Sequence, residues 1–231
     1  MAFAVLDERV PGRALADDST NPTMAVVQTR EGLAISSRGA SAAFVAAALD
    51  ALRADSMVGL VWCENEDVPE PAPPAKRVER LDFAPLDPQA PNLAAARASL
   101  PAEVRVEALT PLLLERCEWR DIVLSACGSA EAFFRGATGL CLLAGDTIVA
   151  EAYAPYVGRG SAEVGVVTPE SERGRGYATI AAAFLSAALA ERSIAMYWSC
   201  DADNGPSIRV AEKLGFEQRR SFSILMYRPL T

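Results

Sequence analysis

The chain contains no histidine and only two lysines, Lys76 and Lys213, among its 231 residues. Without histidine there can be no Ser-His-Asp triad, no Cys-His dyad, no HExxH zinc site and no histidine general base. The bias of the 22 basic residues toward arginine, together with the many alanines, is typical of a GC-rich genome. A net charge of -8 argues against nucleic acid as the main partner, because phosphate binding requires a basic face.

Cysteine is also scarce, and its spacing excludes further classes of protein. Cys63, Cys117, Cys127, Cys141 and Cys200 are odd in number and never form a CxxC pair. This pattern is typical of a reduced intracellular protein and offers no metal-finger spacing, so we expect no metal site. The longest apolar runs are far shorter than the roughly 20 residues of a membrane helix. Because the opening MAFAVLDERVPGR also lacks the basic start of a signal peptide, we expect a cytoplasmic protein with no membrane partner.

Residues 1–87 predict a small N-terminal α/β domain, and the Pro/Ala-rich stretch 88–102 predicts a linker. The predicted elements of the domain are two short strands within 24–39 that turn at Glu31-Gly32, a helix over 41–54, a buried strand over 57–62, a loop over 68–75 and a strand over 77–86.

Residues 103–231 predict a larger α/β domain with a mixed sheet. Both halves of the chain show a predicted hairpin followed by a helix and a strand. This shared order is explained either by coincidence or by an internal repeat. The predicted elements are a strand VRVEAL, helices TPLLLERC and SAEAFFRG, a strand pair turning at Gly145-Asp146, a strand over 161–168, a helix YATIAAAFLSAALAER, a strand over 194–200, a helix PSIRVAEKL that stops at Gly215, and one or two strands in FEQRRSFSILMYR.

The segment from Val166 to Thr179 carries the clearest chemical signal, because a predicted strand runs through a glycine-bearing turn into a helix. Such a turn presents unpaired backbone amides and the positive end of the helix dipole, which suits a pyrophosphate. The alternative is a tight turn with solvent-facing arginines. After Gly174 and Gly176 there is no third glycine of a dinucleotide fingerprint and no lysine of a nucleotide P-loop.

Arg173-x-x-Gly176-x-Ala178 matches the acetyl-CoA signature Q/R-x-x-G-x-G/A of the GNAT N-acetyltransferase superfamily. Downstream, Asn204-Gly205-Pro206-Ser207 and the segment AEKLGF match a second hallmark of that superfamily. Residues 103–231 therefore resemble a GNAT domain, most closely that of a bacterial branch with an extra N-terminal α/β domain.

The resemblance implies an acetyl-CoA-dependent N-acetyltransferase that transfers acetyl directly to a primary amine on a small molecule or peptide. It implies that the backbone of Val166 and Thr168 pairs with the pantetheine arm, and that an amide near Val166 polarises the thioester carbonyl. The implied cofactor-binding residues are Val166, Val167, Thr168, Arg173, Gly174, Arg175, Gly176, Tyr177, Ala178, Thr179 and Asn204.

Two positions depart from the superfamily pattern. Many relatives carry a tyrosine that protonates the leaving thiolate where this chain has Ala211, and some carry a glutamate base where it has Ser199. The competing class is therefore a non-catalytic acyl-CoA-binding protein that acts as a sensor. A transferase for longer acyl groups is a third option. The N-terminal domain either shapes the amine pocket or pairs two chains into a homodimer.

Glu163 and Tyr197 are the candidate replacements for the missing acid and base. Glu163 precedes the turn on its strand and can act as a base, directly or through water, or can form a salt bridge instead. Tyr197 shares a predicted strand face with Ser199 and Asp201, and is either the acid or a core aromatic residue. Cys200, on the opposite face, is predicted to be core. Other side chains that can line an amine pocket are Glu151 and Tyr153.

Overall fold

The computed structural model of the chain describes residues 2–16, 18–30, 32–37, 59–63 and 76–227, together with Ala43 and Ala47. The predicted helix over 41–54 lies outside the described residues except for Ala43 and Ala47, which are helical. The predicted loop over 68–75 lies wholly outside them. No helix in the described part of the chain is long and apolar enough to cross a membrane.

From residue 76 onward the described elements are a mixture of helices and strands. The strands are β1 (Arg13–Ala16), β2 (Met24–Gln28), β3 (Gly32–Ser37), β4 (Gly59–Cys63), β5 (Lys76–Phe83), β6 (Val104–Ala108), β7 (Thr138–Ala144), β8 (Thr147–Gly158), β9 (Ser161–Val167), β10 (Ala195–Tyr197), β11 (Ser199–Asp201) and β12 (Gln218–Tyr227). The helices are α1 (Ala2–Leu6), α2 (Pro91–Ala98), α3 (Pro111–Leu114), α4 (Arg120–Cys127), α5 (Ala130–Gly136), α6 (Tyr177–Ala190) and α7 (Gly205–Leu214).

Two sheets meet at Trp198, the residue between β10 and β11. One sheet has the order β10-β9-β8-β7-β6, in which only the β9–β10 pair is parallel. The other has the order β1-β2-β3-β4-β12-β5-β11, in which only β3 and β4 pair in parallel. An antiparallel hairpin followed by a parallel strand therefore occurs twice, in β2-β3-β4 and in β8-β9-β10.

Helix α6 covers one face of the five-stranded sheet at close range. Ala181, Ala182 and Ala183 on this helix are fully buried. Because their side chains are small, the helix backbone packs close to its neighbours. Ile180, Leu185 and Leu189 are buried in the same core, as their helical spacing predicts. The opposite face of this sheet is covered by α1 and by α3 to α5, which enclose a second core.

Three features of the fold differ from the sequence prediction. The predicted linker contains helix α2, because its proline Pro91 lies in the first turn, where a missing amide costs nothing, and alanines follow. The predicted single strand over 194–200 is two strands in two sheets. Helix α4 was not predicted at all.

The helix ends follow the predicted signals. Ser129 accepts a hydrogen bond from the Ala132 amide at 3.1 Å and so caps α5. Pro206 lies in the first turn of α7, and Gly215 ends that helix with φ +93°. The domain boundary between residues 87 and 103 stays a prediction, and β12 pairs with β4 and β5 from the other side of it.

Candidate active site

Strand β9 loses its neighbour halfway along its length, and this divergence opens the site. β10 pairs with β9 as far as Tyr197 opposite Glu163. Beyond Trp198 the chain turns to β5 instead, with Ser199 opposite Asp82 and Asp201 opposite Arg80. Within the described residues, the edge of β9 from Val164 to Val167 that faces β11 has no strand partner. Its backbone groups are thus available to a ligand.

A cleft of about 740 Å³ occupies the gap and passes through the sheet. On the α6 side it is lined by Val164 and Val166, which pack against the core under α6. On the other side it reaches Trp119 and Arg80. Because it has walls on both faces, two ligands can meet within the sheet from opposite directions.

The turn from Arg173 to Gly176 forms the far end of the cleft. Gly174 and Gly176 have φ of +81° and +83°, a region that favours glycine. Apart from the chain neighbours of each glycine, no atom of the described residues lies within 4 Å of where a Cβ would stand. Gly176 caps α6, whose first amides have no intrahelical acceptor. The turn is therefore open and lined by amides, as an anion site requires.

The charged residues of the turn divide into two groups. Arg173 lines the cleft, and its Nε donates to the Thr168 carbonyl at 3.3 Å. Arg175 is paired with Glu172 at 3.0 Å and does not line the cleft. Of the predicted cofactor-binding residues, those that line the cleft are Val166, Val167, Thr168, Arg173, Gly174, Gly176, Tyr177, Ala178, Thr179 and Asn204.

Helix α7 forms the second wall of this end. Asn204 lines the cleft and caps α7, because its Oδ1 accepts from the Ser207 amide at 3.1 Å while its side-chain amide stays available as a donor. Arg209 and Lys213 add positive charge to the rim. Ala211, where many GNAT proteins carry tyrosine, is fully buried.

Glu163 and Tyr197 lie side by side at the closed end of the gap, as cross-strand neighbours, and neither lines the cleft. Burial and the nearby Asp82 carboxylate raise the pKa of Tyr197. Asp82 is itself buried and accepts from Arg220 Nε at 2.8 Å. Tyr197 is therefore a protonated donor at neutral pH. Cys200 is buried as predicted, and it also lines the cleft.

Two residues of the site, Arg80 and Trp119, were not found from the sequence. Arg80 Nη1 donates to Asp201 Oδ1 at 2.7 Å, and Nη2 donates to Ser199 Oγ at 3.2 Å. Trp119 lies over Gly165, where an added Cβ would stand 2.8 Å from its ring. Both contacts join residues far apart in the chain, so no local spacing signals them.

Glu151 holds the turn that carries Trp119. It is 1% exposed, and its carboxylate accepts from the Glu118 amide at 2.6 Å and the Trp119 amide at 3.3 Å. Burial raises the pKa of Glu151, and the two amide donors partly offset this effect. Glu151 and Tyr153 are thus buried behind Trp119 and do not line the cleft.

A family model described as GNAT acetyltransferase matches residues 1–225, nearly the whole chain. The chain belongs to the GNAT acetyltransferase family. This membership implies acyl transfer from an acyl-CoA.

Similar proteins agree with this membership. The uncharacterized N-acetyltransferase YdfB of Bacillus subtilis (strain 168) is 33% identical over 96 residues, which are 42% of this chain and 37% of that protein. The fold is shared with a GCN5-related N-acetyltransferase-like protein from Streptococcus suis 89/1591, at TM-score 0.76 and 21% identity over 96% of this chain and 90% of the other. A GCN5-related N-acetyltransferase from Kribbella flavida also shares the fold, with a TM-score of 0.60 and 18% identity. The match covers 100% of this chain and 95% of that protein.

Proposed function

We propose that the chain is an N-acetyltransferase that transfers acetyl from acetyl-CoA directly to a primary amine of a small molecule or peptide. The observation that supports this best is the cleft through the sheet, with an amide-lined turn on one face and an opening beside Trp119 and Arg80 on the other. Such a site admits a thioester from one side and an amine from the other, so no covalent enzyme intermediate is needed.

The residues present fit the CoA moiety. The amides from Gly174 to Thr179 would hold the pyrophosphate, with Arg173 adding charge. The free edge of β9 at Val166 and Thr168 would pair with the pantetheine amides, and Asn204 would donate from the opposite wall. An amide near Val166 would polarise the thioester carbonyl as an oxyanion-hole donor.

The acceptor amine must lose a proton before it attacks. We assign this base role to Glu163, acting through water because its side chain does not line the cleft. The nitrogen lone pair then forms the C–N bond, and the C–S bond breaks with its electron pair on sulfur. The cationic nitrogen then loses a second proton to solvent, which leaves the neutral amide. Tyr197 is the candidate acid that would return a proton to the thiolate, although burial and the Asp82 carboxylate raise its pKa and so make it a weaker acid.

Gly176→Glu tests the cofactor site. A glutamate there would place a carboxylate where the pyrophosphate belongs, and we expect acetyl-CoA and CoA affinity to fall by at least 100-fold in isothermal titration, or about 2.7 kcal/mol. Gly160→Glu is the matched control, because Gly160 also has positive φ, of +70°, and open space around it, but lies at the β8–β9 hairpin. Wild-type affinity in Gly176→Glu would contradict the assignment.

Release of free thiol across a panel of amines separates the transferase from the second candidate, an acyl-CoA-binding sensor. The sensor is favoured by the buried Ala211 and by the absence of Glu163 and Tyr197 from the cleft lining. Tight acetyl-CoA binding with amine-dependent thiol release supports the transferase. Tight binding without release on any amine of the panel supports the sensor.

A further inference from the structure

We propose that Ser199, held by Arg80, is the hydrogen-bond donor that stabilises the leaving sulfur of CoA. The proposal rests on the proposed function, because it assigns one step of that reaction. Ser199 occupies the position at which some GNAT relatives carry a glutamate base, and its hydroxyl cannot serve as such a base at neutral pH. Its surroundings give it a different role.

The first argument is position. Continuing the β9–β10 register past Tyr197 opposite Glu163 brings Ser199 opposite Gly165, across the gap. Ser199 is half-buried and lines the cleft. If the β9 edge holds the thioester carbonyl oxygen on one wall, the sulfur faces the other wall, where Ser199 begins β11.

The second argument is hydrogen bonding. A hydroxyl has one hydrogen and two lone pairs, and Arg80 Nη2 donates to the Ser199 oxygen at 3.2 Å. In the described part of the chain Ser199 Oγ has no other hydrogen-bond partner, so its hydrogen is available to a ligand in the cleft.

The third argument is charge. The Arg80 side chain is 17% exposed, and its pairing with Asp201 at 2.7 Å fixes the plane of the guanidinium. Donation from a permanent cation strengthens the hydrogen bond that the serine hydroxyl donates in turn. Arg80 also lines the cleft, so its charge itself favours a thiolate over a neutral thioester.

The step balances without a new reactant. As the C–S bond breaks, its electron pair moves to sulfur and the Ser199 O–H donates a hydrogen bond to the developing thiolate. Serine keeps its proton, because an alcohol is a much weaker acid than a thiol. Of the two protons that the ammonium loses, one is released to solvent and the other finally resides on sulfur, giving the amide and free CoA. Ser199 is thus a catalytic residue, and Arg80 positions it.

Ser199→Ala tests the role directly. We expect kcat to fall about tenfold or more, somewhat less than for loss of an oxyanion-hole donor, while acetyl-CoA affinity stays unchanged because a thioester sulfur carries little charge. Ser199→Thr keeps the hydroxyl and should recover most of the activity. Ser221→Ala, at an exposed serine of β12 in the same sheet as β11 but not in the cleft lining, is the matched control.

A second readout does not depend on turnover. The pKa of the thiol in bound CoA is followed by thiolate absorbance against pH, with desulfo-CoA as the reference ligand. We expect the thiol pKa of bound CoA to rise in Ser199→Ala and in Arg80→Gln, so that the thiol is about ten times less acidic in each variant than in wild type. Equal thiol pKa values in all three proteins, or wild-type kcat in Ser199→Ala, would overturn the proposal. If no amine releases thiol in wild type, the proposed function fails, whereas the thiol titration still tests Ser199.

Discussion

Tyr197 and Glu163 show how far a residue's chemistry depends on its neighbours. From the sequence, both lie on strands that flank the cofactor turn, and alternation places Tyr197 on the face of Ser199 and Asp201. In the structure Ser199 and Asp201 share a face, because both contact Arg80. Alternation could not indicate that burial and the neighbouring Asp82 carboxylate raise the pKa of Tyr197.

Glu163→Gln and Tyr197→Phe test the proposed proton transfers. If the two residues move protons, kcat should fall about 100-fold in Glu163→Gln, within the usual range for general acid–base groups, and about tenfold in Tyr197→Phe. Neither change should alter acetyl-CoA affinity, since neither side chain lines the cleft. Steady-state kinetics and titration measure both quantities, and unchanged turnover would remove the two residues from their roles.

Among the elements, several helices with local signals were predicted, although α2 and α4 were not, and the strand division that depends on distant contacts was also missed. Capping residues and helical spacing indicate α5, α6 and α7 from short windows of sequence. The division of residues 194–200 into β10 and β11 leaves no such signal, because both halves alternate in the same way. The hydrogen bonds of Ser199–Asp201 come from β5, more than a hundred residues earlier. For the same reason Arg80 could not be assigned to the site.

The turn between α3 and α4 depends on one buried carboxylate, and its pH dependence is predictable. The pKa of Glu151 is raised from its ordinary value of 4.5, so above that pH the native state keeps a proton that the unfolded state loses. Stability from this group therefore falls as pH rises from 4.5 to the native pKa. Relative to Glu151→Gln, the wild-type free energy of unfolding should decline across this window, by at most about 1.4 kcal/mol per pH unit.

Urea denaturation at a series of pH values measures this difference. Glu131→Gln, which removes an exposed carboxylate on α5, is the control. The prediction fails if the wild-type free energy of unfolding instead rises with pH relative to that of Glu151→Gln. Such a rise would show that the amides of Glu118 and Trp119 stabilise the carboxylate more than burial destabilises it.

For the whole molecule, the net charge of the chain is opposite in sign to the charge of the residues that line the cleft. The chain carries a net charge of -8, yet cations outnumber anions around the cleft, where Arg80, Arg173, Arg209 and Lys213 face Glu172 and Asp201. Net charge therefore describes the surface at large and says little about the partner of the site. The division into two domains joined by a linker stays a prediction, and hydrogen bonds from β12 to β4 and β5 join strands of both parts in one sheet.

This shared sheet predicts a single unfolding transition for the full chain. β12 lies between β4 and β5, so residues 103–231 cannot unfold without breaking the sheet that contains β1 to β5. In calorimetry we expect one peak with equal calorimetric and van't Hoff enthalpies. In native-state hydrogen exchange, the amides of β12 and β9 should open with the same free energy. Two resolved transitions, with β9 still protected after β12 has exchanged, would instead show that the predicted domains unfold independently.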